Sequence, residues 1–167
     1  ILDRPEVNFS TALRNIATGV ATCGTVAYTD NTNTLSALQA VAIAEDGRLF
    51  ANRRNQIQFD ERISFTFSTA IASFGGTATN EIPILAIGVA YGQETLFNRV
   101  QVDIDGGTAA QVAQDSASQT QYGVQTLSFS SVPLVNETAG ATLAQNLLDK
   151  YKDPKIRFNE ISTSLNA

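Results

Sequence analysis

Residues 96–107 read LFNRVQVDIDGG, and the alternation inside that stretch organises the reading of everything around it. Val100, Val102 and Ile104 occupy every second position between Arg99, Gln101 and Asp103. An extended chain therefore puts the apolar side chains on one face and the polar ones on the other. Asp105-Gly106-Gly107 then turns the chain. Downstream, Ala109 to Gln121 is polar and reads as partly helical, and Leu127 and Phe129 alternate in a second strand. Leu143, Leu147, Leu148 and Tyr151 recur at helical spacing in a helix opened by Thr138 or a neighbour and ended by Pro154. Lys150 and Lys152 fall in its last turn, where positive charge suits the helix dipole. Ile156 and Phe158 alternate in a closing strand. The apolar phase slips before Ile161, Thr163 and Leu165, which one extra residue near Asn159 explains as a β-bulge.

Working toward the N-terminus, Ile84 to Val89 reads as a short apolar strand, and Gly75-Gly76 and Asn80 break the chain before it. Ile63, Phe65 and Phe67 alternate with Ser64, Thr66 and Ser68, the signature of a half-buried strand. Arg48 to Ala51 and Gln56 to Asp60 read as two strands joined across Asn52-Arg53-Arg54-Asn55. A helix precedes them: Leu35, Leu38, Val41 and Ala42 repeat at helical spacing, Ser36 with Gln39 resembles a capping box, and Gly47 stands where a left-handed C-terminal residue is wanted. Thr25 to Tyr28 is a further strand candidate, and Ser10 to Ile16 reads locally as a short helix capped by Ser10. The pattern predicts an α+β fold, β-rich, with mostly antiparallel sheets or a partial barrel and two main amphipathic helices. A helix-plus-hairpin α/β portion is expected over 1–90. A β-rich portion with a C-terminal helix and strand is expected over 91–167.

At 167 residues, 43% hydrophobic and 16% charged, the chain has the composition of a folded protein with a sizeable core. Thr, Ser, Asn, Gln and Ala fill its surface in place of charge, which suits faces destined for other subunits. A net charge of −5 opposes nonspecific attraction to phosphate backbones, so no specific nucleic acid is expected. No run approaches the roughly 18 apolar residues of a membrane span. The chain contains no Met and opens on Ile1-Leu2-Asp3, from which a piece of a longer protein is expected.

The chain has no His and one Cys, so it contains no Ser-His-Asp or Cys-His arrangement, no His metal site and no intrachain disulfide. Asp103, Asp105 and Gly106 resemble the start of a calcium loop, but Gly107-Thr108-Ala109-Ala110 lacks the further oxygen ligands, and a plain turn is the better reading. Arg53-Arg54 could pair with phosphate or carboxylate, although a solvated hairpin tip explains it more simply. Asp60 and Glu61 are adjacent, so on a strand they point apart and cannot share an acid-base task. Cys23 has no base to activate it and reads as a small buried or half-buried filler. No catalytic, cofactor-binding or metal-binding residues are expected, and the chain is not expected to be an enzyme.

Several arrangements resemble the minor tail or tail-hub proteins of long-tailed bacteriophages. Asn98-Arg99-Val100 matches a strand of that family, Asp115 and Ser118 match its Asp-x-x-Ser segment, and Tyr122-Gly123 matches the pair that follows. Tyr151-Lys152-Asp153-Pro154 and the passage Ala44 to Phe50 from helix into hairpin resemble it too. In the family, the segment matching Arg14 to Gly19 leads into a strand, so the resemblance favours extended structure there over a helix. Ile1-Leu2-Asp3 resembles the end of a helix begun upstream. The resemblance implies a non-enzymatic virion protein of the tail tip, made in the host cytoplasm. It further implies other phage tail proteins as partners and a homo-oligomer, a trimer, in the parent assembly. A carbohydrate-binding β-rich module is the alternative, disfavoured because Trp is absent and the four Tyr do not cluster.

Overall fold

The computed structural model of the chain describes residues 1–3, 7, 9–25, 32–62, 73–75 and 81–163. Its centre is the strand the alternation predicts, β6 (Arg99–Ile104), with every second residue buried. The order of the full set is β1 (Arg14–Ile16), α1 (Thr34–Glu45), β2 (Arg48–Ala51), β3 (Ile57–Asp60), β4 (Ser73–Gly75), β5 (Glu81–Gly92), β6, β7 (Gln111–Gln114), α2 (Ser116–Tyr122), β8 (Thr126–Val132), α3 (Glu137–Tyr151) and β9 (Lys155–Thr163). The fold is α+β, and among the described residues the strands form three small sheets, ordered β1-β3-β2, β4-β5-β9 and β7-β6-β8, with no closed barrel. Each sheet is mixed, because each contains one parallel pair, namely β1 with β3, β4 with β5 and β6 with β8.

The core forms where the apolar face of β6 meets α3. Val100, Val102 and Ile104 pack with Leu143, Ala144, Leu147 and Leu148, and Val132, Leu134 and Ala44 complete the cluster. Each fully buried Val or Leu contributes about 1.5–3 kcal/mol relative to exposure. The turn after β6 is closed by the Gly107 N–H donating to the Ile104 carbonyl at 3.0 Å, with Gly106 at φ 74. The polar segment beyond it divides. Gln111–Gln114 is strand rather than helix, pairing antiparallel with β6, and only Ser116–Tyr122 is helical. Local polarity concealed the strand because β7 is an edge of its sheet, with Val112 and Gln114 exposed.

The termini of α1 differ from the expected caps. Asn33, one turn before the supposed Ser36–Gln39 box, caps α1 by accepting from the Leu35 and Ser36 N–H groups at 2.8 and 3.4 Å. α3 opens at Glu137, the neighbour of Thr138, as expected, and Asn136 caps it by accepting from Ala139 N–H at 2.9 Å. At the end of α1 the left-handed residue is Asp46 (φ 52). Gly47 follows it, and its N–H closes the longer bond to the Ala42 carbonyl at 2.9 Å, as in a Schellman ending. Glycine is needed at position 47 for space, since a Cβ there would lie 2.6 Å from the Asp60 carbonyl oxygen.

The hairpin β2·β3 forms as expected, its tip shaped by Asn52 Oδ1 accepting from Arg54 and Gln56 N–H groups and by Asn55 at φ 59. Ser10 to Ile16 is a single 3-10 turn, Thr11–Leu13, leading into β1, so extended structure prevails from Arg14 onward. β5 is longer than the Ile84–Val89 strand expected and runs through Pro83, tolerated because it lies near the start of the strand. The bulge expected near Asn159 is present: Gly88 pairs with Glu160 and Val89 with Phe158, leaving Asn159 as the extra residue. Of the expected strand Thr25 to Tyr28, only Thr25 is described. The strand expected over 63–67 and the breaks at Gly76 and Asn80 also lie outside the described residues.

The boundary between 1–90 and 91–167 falls inside β5, and several ties cross it. β5 pairs with β9, Ala44 of α1 enters the core, Cys23 bridges to Leu134, and Lys150 Nζ lies 2.9 Å from Asp46 Oδ1.

Candidate interaction surface

The residues that carried hints of chemistry do not converge. Among the described residues no group of three His, Cys, Asp or Glu side chains is placed to hold a metal ion. Asp103 lies on the outward face of β6 and Asp105 in the exposed turn. Arg53 and Arg54 are exposed at the hairpin tip, beside a cleft of about 240 Å³ lined also by Asn15, Asn52, Gln56 and Gln58. Asp60 ends β3 and accepts from Gln58 Nε2 at 2.7 Å. Cys23 is exposed rather than a filler. What burial its thiol has, and then the Glu45 carboxylate, push its pKa up, which keeps it protonated and a poor nucleophile.

Three buried polar residues, Glu45, Asn98 and Ser118, do structural work. Glu45, at the end of α1, accepts from the Val20 and Ala21 N–H groups at 2.9 and 2.6 Å and so fastens the segment after β1 to the helix. Asn98, fully buried, is the junction of the second half. Its Nδ2 donates to the Gly123 carbonyl at 2.7 Å, and its Oδ1 accepts from Gln125 N–H at 2.9 Å. Its backbone carbonyl accepts from Asp115 N–H at 3.0 Å. Ser118 Oγ, 3.4 Å from Asn98 Nδ2, donates to the Lys152 carbonyl at 2.8 Å.

Asn98, Asp115, Ser118, Gly123 and Lys152, some of them far apart along the chain, are therefore one hydrogen-bonded knot joining the start of β6, α2, the approach to β8 and the end of α3. Asp115 caps α2 through Ser118 N–H, and that bond, followed by the Lys152 ammonium, holds its carboxyl below the usual carboxylate range. Gly123 sits at φ 75, a left-handed value that a side chain would strain. The sequence shows these residues but not their burial, because a polar side chain before a strand carries no periodic signal.

The feature that stands apart is the ribbon β5·β9. Its register pairs Tyr91 with Ile156, Val89 with Phe158 and Ile87 with Ile161, which places all six side chains on one face. The bulge at Asn159 makes this possible, since without it Ile161 would turn to the opposite side. All six are exposed, from 41% at Ile161 to 68% at Tyr91. Ala86, Gly88 and Ala90 occupy the other face with Arg157, Glu160 and Ser162. A sheet face of this kind buries its apolar side against another layer in a stable fold, and a contiguous apolar patch on a surface marks a contact site. Two apolar clefts of about 580 and 630 Å³ flank α1, the first lined by Ile43, Leu127, Phe129 and Tyr151 and the second by Leu38, Val41, Leu49 and Phe59. Among the described residues no helix is long and apolar enough to cross a membrane.

No protein-family model matches the chain, and no curated protein matches it. Among solved structures, one described as the crystal structure of the tail protein from Neisseria meningitidis MC58 is similar in fold. The TM-score is 0.50 and the identity 13%, over 83% of this chain and 41% of that one. The chain thus spans under half the length of that protein, and at this identity the likeness is one of fold.

Proposed function

We propose that the chain is a structural component of a bacteriophage virion tail, a minor tail or hub protein at the tail tip whose task is subunit assembly. The observation that carries this reading is the fold shared with a tail protein over most of the chain. Two others agree with it: the Asn98–Ser118–Gly123 knot, built from the residues that resemble the tail-hub pattern, and an exposed apolar ribbon suited to contact rather than turnover. In this reading the protein is not an enzyme. Its partners are other tail proteins and further copies of itself, as a trimer in the parent assembly, and its place is the virion tail after synthesis in the host cytoplasm. Mass spectrometry of purified phage particles, with immunogold microscopy of intact virions, tests the assignment. Label at the tail tip is expected. Label on the capsid, or absence from particles, removes the reading.

A further inference from the structure

We propose that Asp105 is a site of spontaneous isomerisation to isoaspartate, through a cyclic imide closed by the Gly106 nitrogen. The chain has two Asp-Gly steps, Asp46-Gly47 and Asp105-Gly106, and no Asn-Gly step. In such a step the glycine nitrogen attacks Cγ of the preceding aspartic acid. The N–Cγ bond forms, the bond from Cγ to the acid oxygen breaks, and water leaves with the amide proton. Water then reopens the five-membered imide. Breaking N–Cγ restores aspartate, whereas breaking the bond from the nitrogen to the backbone carbonyl leaves the chain running through Cγ as isoaspartate. One water is lost and one regained, so no other reactant is needed. Glycine favours closure because no side chain crowds its nitrogen, and hydrogen bonds that hold the nitrogen or the carboxylate oppose it.

The two steps have opposite settings. Asp46 is held by Lys150, whose Nζ lies 2.9 and 3.1 Å from its two carboxylate oxygens. The Gly47 N–H is committed to the Ala42 carbonyl at 2.9 Å, and the Asp60 carbonyl closes off the space beside Gly47. Asp105 and Gly106, by contrast, are exposed in the turn after β6. Among the described residues the Asp105 carboxylate has no hydrogen bond or ion pair, and the Gly106 N–H has no acceptor. A Cβ at Gly106 would meet nothing within 4 Å, which leaves room for the side chain to swing over the backbone and close the ring. The position gives isomerisation a structural consequence. Thr108 ties the turn to the start of α3, its N–H and hydroxyl donating to Glu137 Oε1 at 3.2 and 2.6 Å. Isoaspartate adds one backbone atom between Ile104 and Gly107, which works against both the bond that closes the turn and this tether.

Peptide mapping of the full chain, aged for weeks in neutral buffer at physiological temperature, tests the proposal. Isoaspartate has the mass of aspartate, so it is counted by its resistance to cleavage before aspartate and by electron-transfer fragmentation. In the folded chain it is expected to accumulate at 105 at least about tenfold faster than at 46, because a locked step reacts only through local opening and tenfold corresponds to about 1.4 kcal/mol. In the chain unfolded in guanidinium, where both locks are gone, the two steps are expected to react at similar rates. Ageing in heavy-oxygen water is expected to place one label in each isoaspartate, from the opening of the imide. Equal rates at the two steps in the folded chain overturn the inference, as does a residue 105 that stays aspartate while the unfolded chain isomerises. Isoaspartate without the label overturns the imide route.

Discussion

Asn98 meets three partners, Ser118, Gly123 and Gln125, with one side chain, and a buried amide so used is costly to remove. Asn98→Ala leaves the Gln125 N–H and the Gly123 carbonyl without the partners they have now. At about 1–3 kcal/mol for each unsatisfied buried group, the loss is expected to be roughly 3 kcal/mol, read by denaturant unfolding. Two carboxylates at helix N-termini give a pH signature. Hydrogen bonds from Ser118 N–H to Asp115, and from the Thr108 hydroxyl to Glu137, hold both pKa values below their ordinary range. A folded-state pKa below the unfolded one stabilises above the unfolded value, and that stability is lost as pH falls through the carboxylate range to the folded value. Thermal melts from neutral pH into acid should therefore show falling stability. The fall should be shallower in the Asp115→Asn, Glu137→Gln double variant. Equal slopes would mean these carboxylates do not carry the effect.

The elements show where local pattern suffices. α3 was legible because Leu143, Leu147 and Leu148 recur at the helical period and one face of the helix meets β6. Leu147, 3% exposed, is expected to cost about 2–5 kcal/mol on substitution by Ala, and a loss below roughly 0.5 kcal/mol would mean the stripe is not core. β6, the hairpin β2·β3 and the bulge at Asn159 were legible for a similar reason, since alternation and its slip are recorded in neighbouring letters. β7 was not, because an edge strand of polar residues owes its conformation to the ladder with Val100 and Val102 rather than to its own propensity. The cap at Asn33 fell outside the expected position because several Ser, Thr and Asn compete near the start of α1, and the path of the incoming chain selects among them.

At the scale of the whole molecule, composition and periodicity by themselves determined an α+β chain with an alternating central strand, an amphipathic C-terminal helix, a helix leading into a hairpin and a closing strand with a bulge. Each of these depends on side chains a few positions apart. The tertiary structure alone decided that every sheet is mixed, that β5 pairs with β9 across more than 60 residues, that Asn98 and Glu45 are buried, and that six apolar side chains converge on an uncovered ribbon face. Those features depend on which distant strands become neighbours and in what register. A sequence states which side chains share a face of one strand, while the pairing of two strands determines whether their faces add up to a surface.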